Sequence, residues 1–383
     1  MPYKILVISN YRSTQTVRPE AEVFIGLAKL GHQIDIMTYG DGEYVKIFKD
    51  AGIRVIDFHP KKKFSSSTVK FLRNWLIKEK YDFLHLFTSK AIINGLRASR
   101  NLPVKVILYR GYAGNVHWYD PTAYLKFLNP RVDKIICNSN AVNESLAKQL
   151  FFKKEKLVTI LKGHHPSWYD NIGKMDLEKE LNIPQNHFKI VCIANVRPVK
   201  GIPDLIKSTY FLQENIPIHL LLIGQGMDSK EMQDLINKSP IKNRIHILGP
   251  KNDPLNILAA SNVLVLPSLK EGLPKVVIEA MSLGIPTIST DIPGIKDLVI
   301  HEENGLKVPV KSPRDMANAI IKLHKNPLTL EKMGRNAKKH MIDHLHIDKT
   351  IIKTIQMYRE LSYPNQKYSD KTQETTRETE LYT

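Results

Sequence analysis

Among 383 residues there are only two cysteines, Cys137 and Cys192. Each lies in an apolar, strand-like run, Lys134–Ile136 leading into one and Ile190–Ala194 containing the other. Both are therefore expected as buried thiols in a reducing compartment, not as a disulfide or a metal site. No stretch approaches the ~18 consecutive apolar residues that a membrane-spanning helix needs. The opening Met1-Pro-Tyr-Lys-Ile-Leu-Val-Ile-Ser has no n-region, and its apolar stretch is too short for a signal peptide. These absences point to a cytoplasmic protein, either free or held on the inner face of the plasma membrane. Acidic residues are also scarce: 38 Asp and Glu stand against 56 Lys and Arg, a formal charge of +18. Such a balance favours anionic partners, whether nucleotides, anionic lipid or nucleic acid. Nucleic acid is disfavoured, because the basic residues are scattered and no RNP, KH or zinc-finger pattern occurs.

What is present is a regular alternation. Short apolar runs alternate with helix-length segments, the mark of a doubly wound parallel sheet. The first half has such runs at Ile5–Ile8, Ile34–Met37, Val55–Phe58, Phe83–Phe87, Val104–Tyr109, Ile135–Cys137 and Leu157–Leu161. The second half has them at Ile190–Ala194, His219–Ile223, Ile245–Leu248, Val263–Leu266, Thr287–Ser289 and Leu306–Val308. Residues 163–187, rich in Gly, Pro and Asn, suit an interdomain connection. The expected α/β architecture is two Rossmann-like domains facing across a cleft, 1–165 and 166–345. A helix over 346–362 and a disordered tail over 363–383 follow. Ligands of such sheets bind at the carboxyl ends of the strands.

The densest chemistry lies in residues 267–294, PSLKEGLPKVVIEAMSLGIPTISTDIPG. Pro274 suits the first position of a helix and Gly284 its end. Between them the segment is apolar on so many sides that the helix must be buried. Glu279 nevertheless stands in its middle, and a buried carboxylate is costly unless something binds it. Glu271 lies eight residues earlier, in the loop feeding the helix. The helix N-terminus offers unpaired N–H groups to an anion. Two acids able to hold hydroxyls beside a site able to hold phosphate suit a nucleotide-sugar. A buried Glu satisfied by a core Arg is the plainer alternative.

The E-x7-E pair, with these neighbours, resembles the donor-site signature of the retaining family-4 glycosyltransferases, which have the GT-B fold. The similarity runs from about residue 188 to 310 and is much thinner over 1–165. The resemblance implies that Glu271 meets hydroxyls of the transferred sugar and Glu279 the ribose. Leu273, Lys275 and Val276 match the turn whose amides face phosphate and sugar. Pro274 stands where many relatives have Gly, which removes one amide donor. Arg197-Pro-Val-Lys200-Gly201 resembles the family's R-x-x-KG loop, whose Arg and Lys contact the pyrophosphate; Arg offers a bidentate fork and Lys a point charge. Gly224 and Gly226 resemble the G-x-G turn bordering the nucleotide, and Gly249 matches a backbone contact beside the base.

The first half departs from the family pattern. Ser9-Asn10-Tyr11-Arg12-Ser13 replaces the usual Gly-Gly pair. Where many relatives place a His near the reacting carbon, Val104–Tyr109 ends in Arg110, and the nearest His is His117; either could fill that place. Tyr112, Trp118 and Tyr119 suit stacking on a sugar or packing of the loop. His165 stands where an Asp is usual. No metal site is expected: His164 and His165 lack partners at ligand spacing, and there is no Asp-x-Asp, the usual metal-holding motif of the other major transferase fold. Lys61–Lys63 with the helical pattern of 65–80 reads either as a basic amphipathic surface for anionic lipid or as a crossover helix with a solvated face. The expected function is transfer of a hexose from a UDP- or GDP-sugar to a glycan or lipid-linked acceptor of cell-surface polysaccharide or lipopolysaccharide synthesis. Metal and cofactor are not required. The alternatives are a GT-B sugar-nucleotide epimerase or hydrolase, a basic nucleic-acid-binding protein, and a subunit that binds donor without turnover.

Overall fold

The computed structural model describes residues 2–12, 14–150 and 154–363. Thirteen strands appear among the described residues, one for each apolar run. The first sheet contains β1 (Lys4–Ile8), β2 (Gln33–Thr38), β3 (Arg54–Asp57), β4 (Phe83–Leu86), β5 (Lys105–Arg110), β6 (Lys134–Cys137) and β7 (Leu157–Thr159). Its order is β3-β2-β1-β4-β5-β6-β7. The second contains β8 (Phe188–Ile193), β9 (Ile218–Ile223), β10 (Ile245–Gly249), β11 (Val263–Leu266), β12 (Thr287–Thr290) and β13 (Gly305–Val308), in the order β10-β9-β8-β11-β12-β13. Every pairing is parallel. Helices cover both faces of such sheets, so their strands are buried on both sides and read as unbroken apolar runs. Ile5, Leu6, Val7 and Ile8 are all fully buried, yet Leu6 and Ile8 face one core and Ile5 and Val7 the other.

The chain leaves the first sheet near Gly163 and returns at His346. These two crossings are pinned to each other: His164 N–H donates to the Leu345 carbonyl (2.8 Å), Ile347 N–H to that of His164 (3.1 Å), and Gly163 N–H to Thr350 Oγ1 (2.9 Å). The returning helix, Ile347–Ser362, lays Ile351, Ile355 and Tyr358 into the core that contains Ile5, Val7 and Phe24. Tyr358 is hydrogen bonded to Nε2 of His85 (2.8 Å), and burial drives His85 down to about 3, so its ring is neutral. The connection 163–187 contains a 3-10 turn, Pro166–Tyr169, and a short helix, Leu177–Leu181.

Both thiols are buried and free, and burial raises each to about 12. The helix Ser66–Glu79 buries Leu72 and Leu76 against the first sheet and leaves Phe71 and Ile77 exposed. Among the described residues no helix is long and apolar enough to cross a membrane. The expected tail lies outside the described residues, apart from Tyr363.

Candidate active site

The buried helix spans Lys275–Ser282, so Pro274 is its cap residue, one position before the expected start. Pro274 is extended (ψ 111°), because its own backbone still has to turn out of the loop. Gly284 follows the helix at φ +71°, the left-handed conformation that suits glycine. Glu279 is 8% exposed. Its partner is Lys275 one turn earlier, at 2.6 Å, not a core Arg. Burial raises the Glu279 carboxyl above its ordinary value, and Lys275 opposes that shift.

Glu271 precedes this helix in the loop after β11. Its Oε1 accepts from Lys200 Nζ (2.6 Å) and from Ser268 Oγ (2.6 Å). Lys200 reaches it because the loop after β8 is bonded to the loop after β11, Leu269 N–H donating to the Val199 carbonyl at 2.8 Å. Gly201, at φ +62°, makes the close approach feasible: a Cβ there would stand 2.0 Å from the Pro267 carbonyl oxygen. Arg197 caps the 3-10 turn Pro198–Lys200 and is exposed. The R-x-x-KG loop and the E-x7-E loop therefore form one structure. Ser268, which orients Glu271, was missed from sequence; its only signal is a hydroxyl three residues before the first Glu.

Gly224, Gly226 and Gly249 close the strand ends beside this loop. Gly224 N–H donates to the Gly249 carbonyl (3.0 Å), and Val196 N–H to that of Gln225 (2.9 Å). Lys275 and Glu279 line a cavity of about 380 Å³ with Lys251, Asp253, Trp168 and Arg18. A nucleoside fits such a volume. Arg18 belongs to the first domain and stacks over Trp168 at 4.4 Å, so the cavity crosses the domain boundary. Behind it, His164 Nδ1 is hydrogen bonded to the Tyr169 hydroxyl (2.5 Å). Burial, with Lys275, Lys162 and Arg18 nearby, drives His164 down to about 3. His165 caps the turn Pro166–Tyr169 through Nδ1, which accepts from Ser167 N–H (3.2 Å), the task an Asp would perform there.

The first domain meets the loop of Glu271 directly. A Cβ on Gly272 would stand 2.5 Å from the Gly111 carbonyl oxygen. Asn140 donates from N and Nδ2 to Asp297 (3.1 and 2.8 Å). Arg110 is engaged with its own loop: Nε donates to the Tyr112 carbonyl (2.8 Å) and Nη2 to that of Gly114, and the guanidinium lies over Phe127. His117 is exposed and stacks on Tyr119 at 5.1 Å. Leu273 and Val276 pack against the apolar core on the helix side of the second sheet.

The chain's likeness to known proteins follows the same division. Residues 21–168 match the model of Glycosyltransferase Family 4, and residues 174–340 that of Glycosyl transferases group 1. A UDP-Gal:α-D-GlcNAc-diphosphoundecaprenol α-1,3-galactosyltransferase of Escherichia coli is 29% identical over 74% of this chain and 76% of its own. An N-acetyl-α-D-glucosaminyl L-malate synthase of Bacillus anthracis is 27% identical over 46% of each chain. Among solved structures, a glycosyltransferase of Rickettsia africae superposes with a TM-score of 0.79 at 20% identity, covering 96% of this chain and all of that one. HepE of Anabaena, solved with UDP and glucose, gives 0.74 at 19% identity over 94% of this chain and all of that one. With both halves matched in order and the two facing parallel sheets in place, the chain belongs to the family-4 glycosyltransferases and has the GT-B fold.

Proposed function

We propose that the protein transfers a hexose from a UDP- or GDP-sugar, with retention, to a lipid-linked or glycan acceptor of cell-surface polysaccharide or lipopolysaccharide synthesis. One observation carries this reading: Glu279 and Lys275 face a nucleoside-sized cavity, while Lys200, Glu271 and Ser268 form one bonded group at the mouth of the same helix. In this reading Glu279 holds the ribose and the loop after Gly249 borders the base. Arg197, Lys200 and the N-terminal amides of the helix neutralise charge growing on the leaving diphosphate, the kind of electrostatic stabilisation that dominates such reactions. The acceptor oxygen bonds to the anomeric carbon as the bond from that carbon to phosphate breaks. The electron pair leaves with the nucleoside diphosphate, and the acceptor proton passes to a phosphate oxygen. Glu271 orients the sugar between them. Side-chain cations and the helix dipole carry the charge, so no divalent metal or other cofactor is needed. The E. coli relative acts on a diphosphoundecaprenol-linked sugar, which supports a lipid-linked acceptor. Exposed Phe64, Phe71 and Ile77 beside Lys61–Lys63 support a peripheral hold on anionic lipid. A thermal-shift panel of UDP, GDP, ADP and CDP with their sugars tests the donor. Binding to the native state raises the melting temperature and names the base. No response to any of them removes the reading.

A further inference from the structure

The first domain lacks the usual His, its Arg110 is engaged with its own loop, and His117 lies exposed against Tyr119. Another group must then meet the acceptor. Near the carboxyl ends of β1 and β6, three buried polar atoms lack a well-formed hydrogen bond: the Tyr11 hydroxyl, Glu20 Oε1 in the helix Thr14–Lys29, and Asn138 Oδ1, although Glu20 interacts with Tyr11 and Ser9, and Asn138 with Tyr109. Buried polar atoms are nearly always paired, so Glu20 Oε1, aimed among apolar neighbours at the ligand-binding edge of the sheet, is left with capacity for one more hydroxyl. Glu20 lines a second cavity of about 50 Å³ with Phe24, His85, Tyr109, Lys162 and Thr354. That is room for roughly three waters, or for the hydroxymethyl arm of a sugar. Pro19, the preceding residue, lines this cavity and the nucleoside-sized one alike, so the two share a wall.

We propose that Glu20, with Tyr11 and Asn138 beside it, binds a hydroxyl-bearing arm of the acceptor and so orients the attacking oxygen toward the donor; this rests on the transferase reading of the cleft. The position agrees with the electrostatics. Lys162 faces Glu20 on one side and feels Lys275, at the phosphate end of the donor helix, on the other. Burial holds the Glu20 carboxyl above its ordinary value, although Lys162, Ser9 and Tyr11 favour its charge. An acceptor hydroxyl there would approach on the phosphate side, where the leaving oxygen takes its proton. Ser9, Tyr11 and Lys162 occupy only part of the Glu20 carboxylate, and its Oε1, buried without a partner, costs stability.

Two readouts test this in the full chain. The first is turnover of whichever nucleotide-sugar stabilises the wild type, with water as acceptor and with a GlcNAc-diphospho-lipid as acceptor. Glu20→Gln should slow transfer to the lipid acceptor by about 100-fold, the usual loss for a positioned polar contact, while hydrolysis by water, which has no arm to hold, and UDP or GDP affinity stay within about two-fold. The second is melting at neutral pH, which needs no turnover. Glu20→Met should melt a few degrees higher than wild type, as removal of a strained functional group commonly does. Unchanged transfer to the lipid acceptor in Glu20→Gln, or a lower melting temperature in Glu20→Met, overturns the assignment. Failure of the wider transferase reading appears separately, as wild type that binds no nucleoside diphosphate, and the melting comparison still decides the role of Glu20.

Discussion

The acids at the cleft are held differently in the two domains, although each domain has buried polar atoms without a well-formed hydrogen bond, Asn256, Thr287 and Ser289 in the second. In the second domain every acid of the site already has a partner: Glu271 holds Lys200 and Ser268, and Glu279 holds Lys275. In the first domain the corresponding edge has Tyr11, Glu20 and Asn138 with buried atoms that lack a well-formed hydrogen bond. A site whose ligand always has the same phosphates and ribose can keep its side chains bonded to one another between turnovers. Each bond is then exchanged for a ligand bond at small net cost. A site for a variable acceptor has no such common denominator, and its polar groups wait for their partner.

The sharpest way to break this contrast is Glu271→Gln. It sits beyond the helix end on the sugar side, bonded to Lys200, so its loss should act on the transition state more than on nucleotide binding. Turnover should fall by roughly 100-fold or more while UDP or GDP affinity is retained. Activity of the wild type should survive EDTA. Normal turnover of the variant, or abolition by EDTA, would mean that the charge on the diphosphate is handled some other way.

How much of this was legible depends on distance along the chain. All thirteen strands were readable because a parallel sheet buries both faces of each strand. The candidate site's segments were readable because their residues are close in sequence: Arg197 and Lys200 share one loop, Glu271 and Glu279 one loop and helix, and the structure bonds the two loops together. The Lys275 partner of Glu279 was readable in principle from its spacing of four, but the only protein partner considered, as the plainer alternative to a ligand, was a core Arg. Glu20 was not readable. Beside Glu22 and Arg18 in a helix it looks like part of a solvated face. Its Oε1 is buried in a cavity that Lys162 and, from the helix Ile347–Ser362 far along the chain, Thr350 and Thr354 also line. The bonding of Arg110 was unreadable for a similar reason: nothing in its sequence says that the carbonyls of Tyr112 and Gly114 turn back to meet it.

A second test uses pH. Burial raises the Glu279 carboxyl, so its protonated form is already populated above the ordinary carboxylate range. A ribose hydroxyl donates best to the ionised form. Nucleotide affinity should therefore fall as pH is lowered toward that raised value, and Glu279→Gln should abolish the dependence while binding more weakly at neutral pH. Calorimetry across pH checks it, and a wild-type affinity flat from neutral to acid pH would contradict it.

Smaller effects test the frame. Tyr358→Phe leaves Nε2 of His85 buried without its partner and should cost about 1–3 kcal/mol in denaturant unfolding. His85 binds a proton far more readily unfolded than folded. Wild-type stability should accordingly be lost as pH falls from the ordinary histidine range toward about 3. The smallest effect expected is on lipid. Sedimentation with anionic vesicles should show binding at low salt that fades at high salt, since screening shortens the reach of exposed charge to about 8 Å at physiological ionic strength. Absence of binding at low salt would remove the surface of Lys61–Lys63 and its exposed apolar neighbours from the picture.

The most direct test of the donor site is calorimetry of UDP and GDP with wild type, Glu279→Ala and Arg197→Ala. One nucleotide should bind the wild type. Each variant should lose roughly 1.5–3 kcal/mol of affinity, the cost of removing a charged hydrogen bond, while melting as a folded protein. Affinity unchanged in both variants, or no binding of either nucleotide to the wild type, would contradict the placement of a nucleoside diphosphate at the N-terminus of the helix Lys275–Ser282.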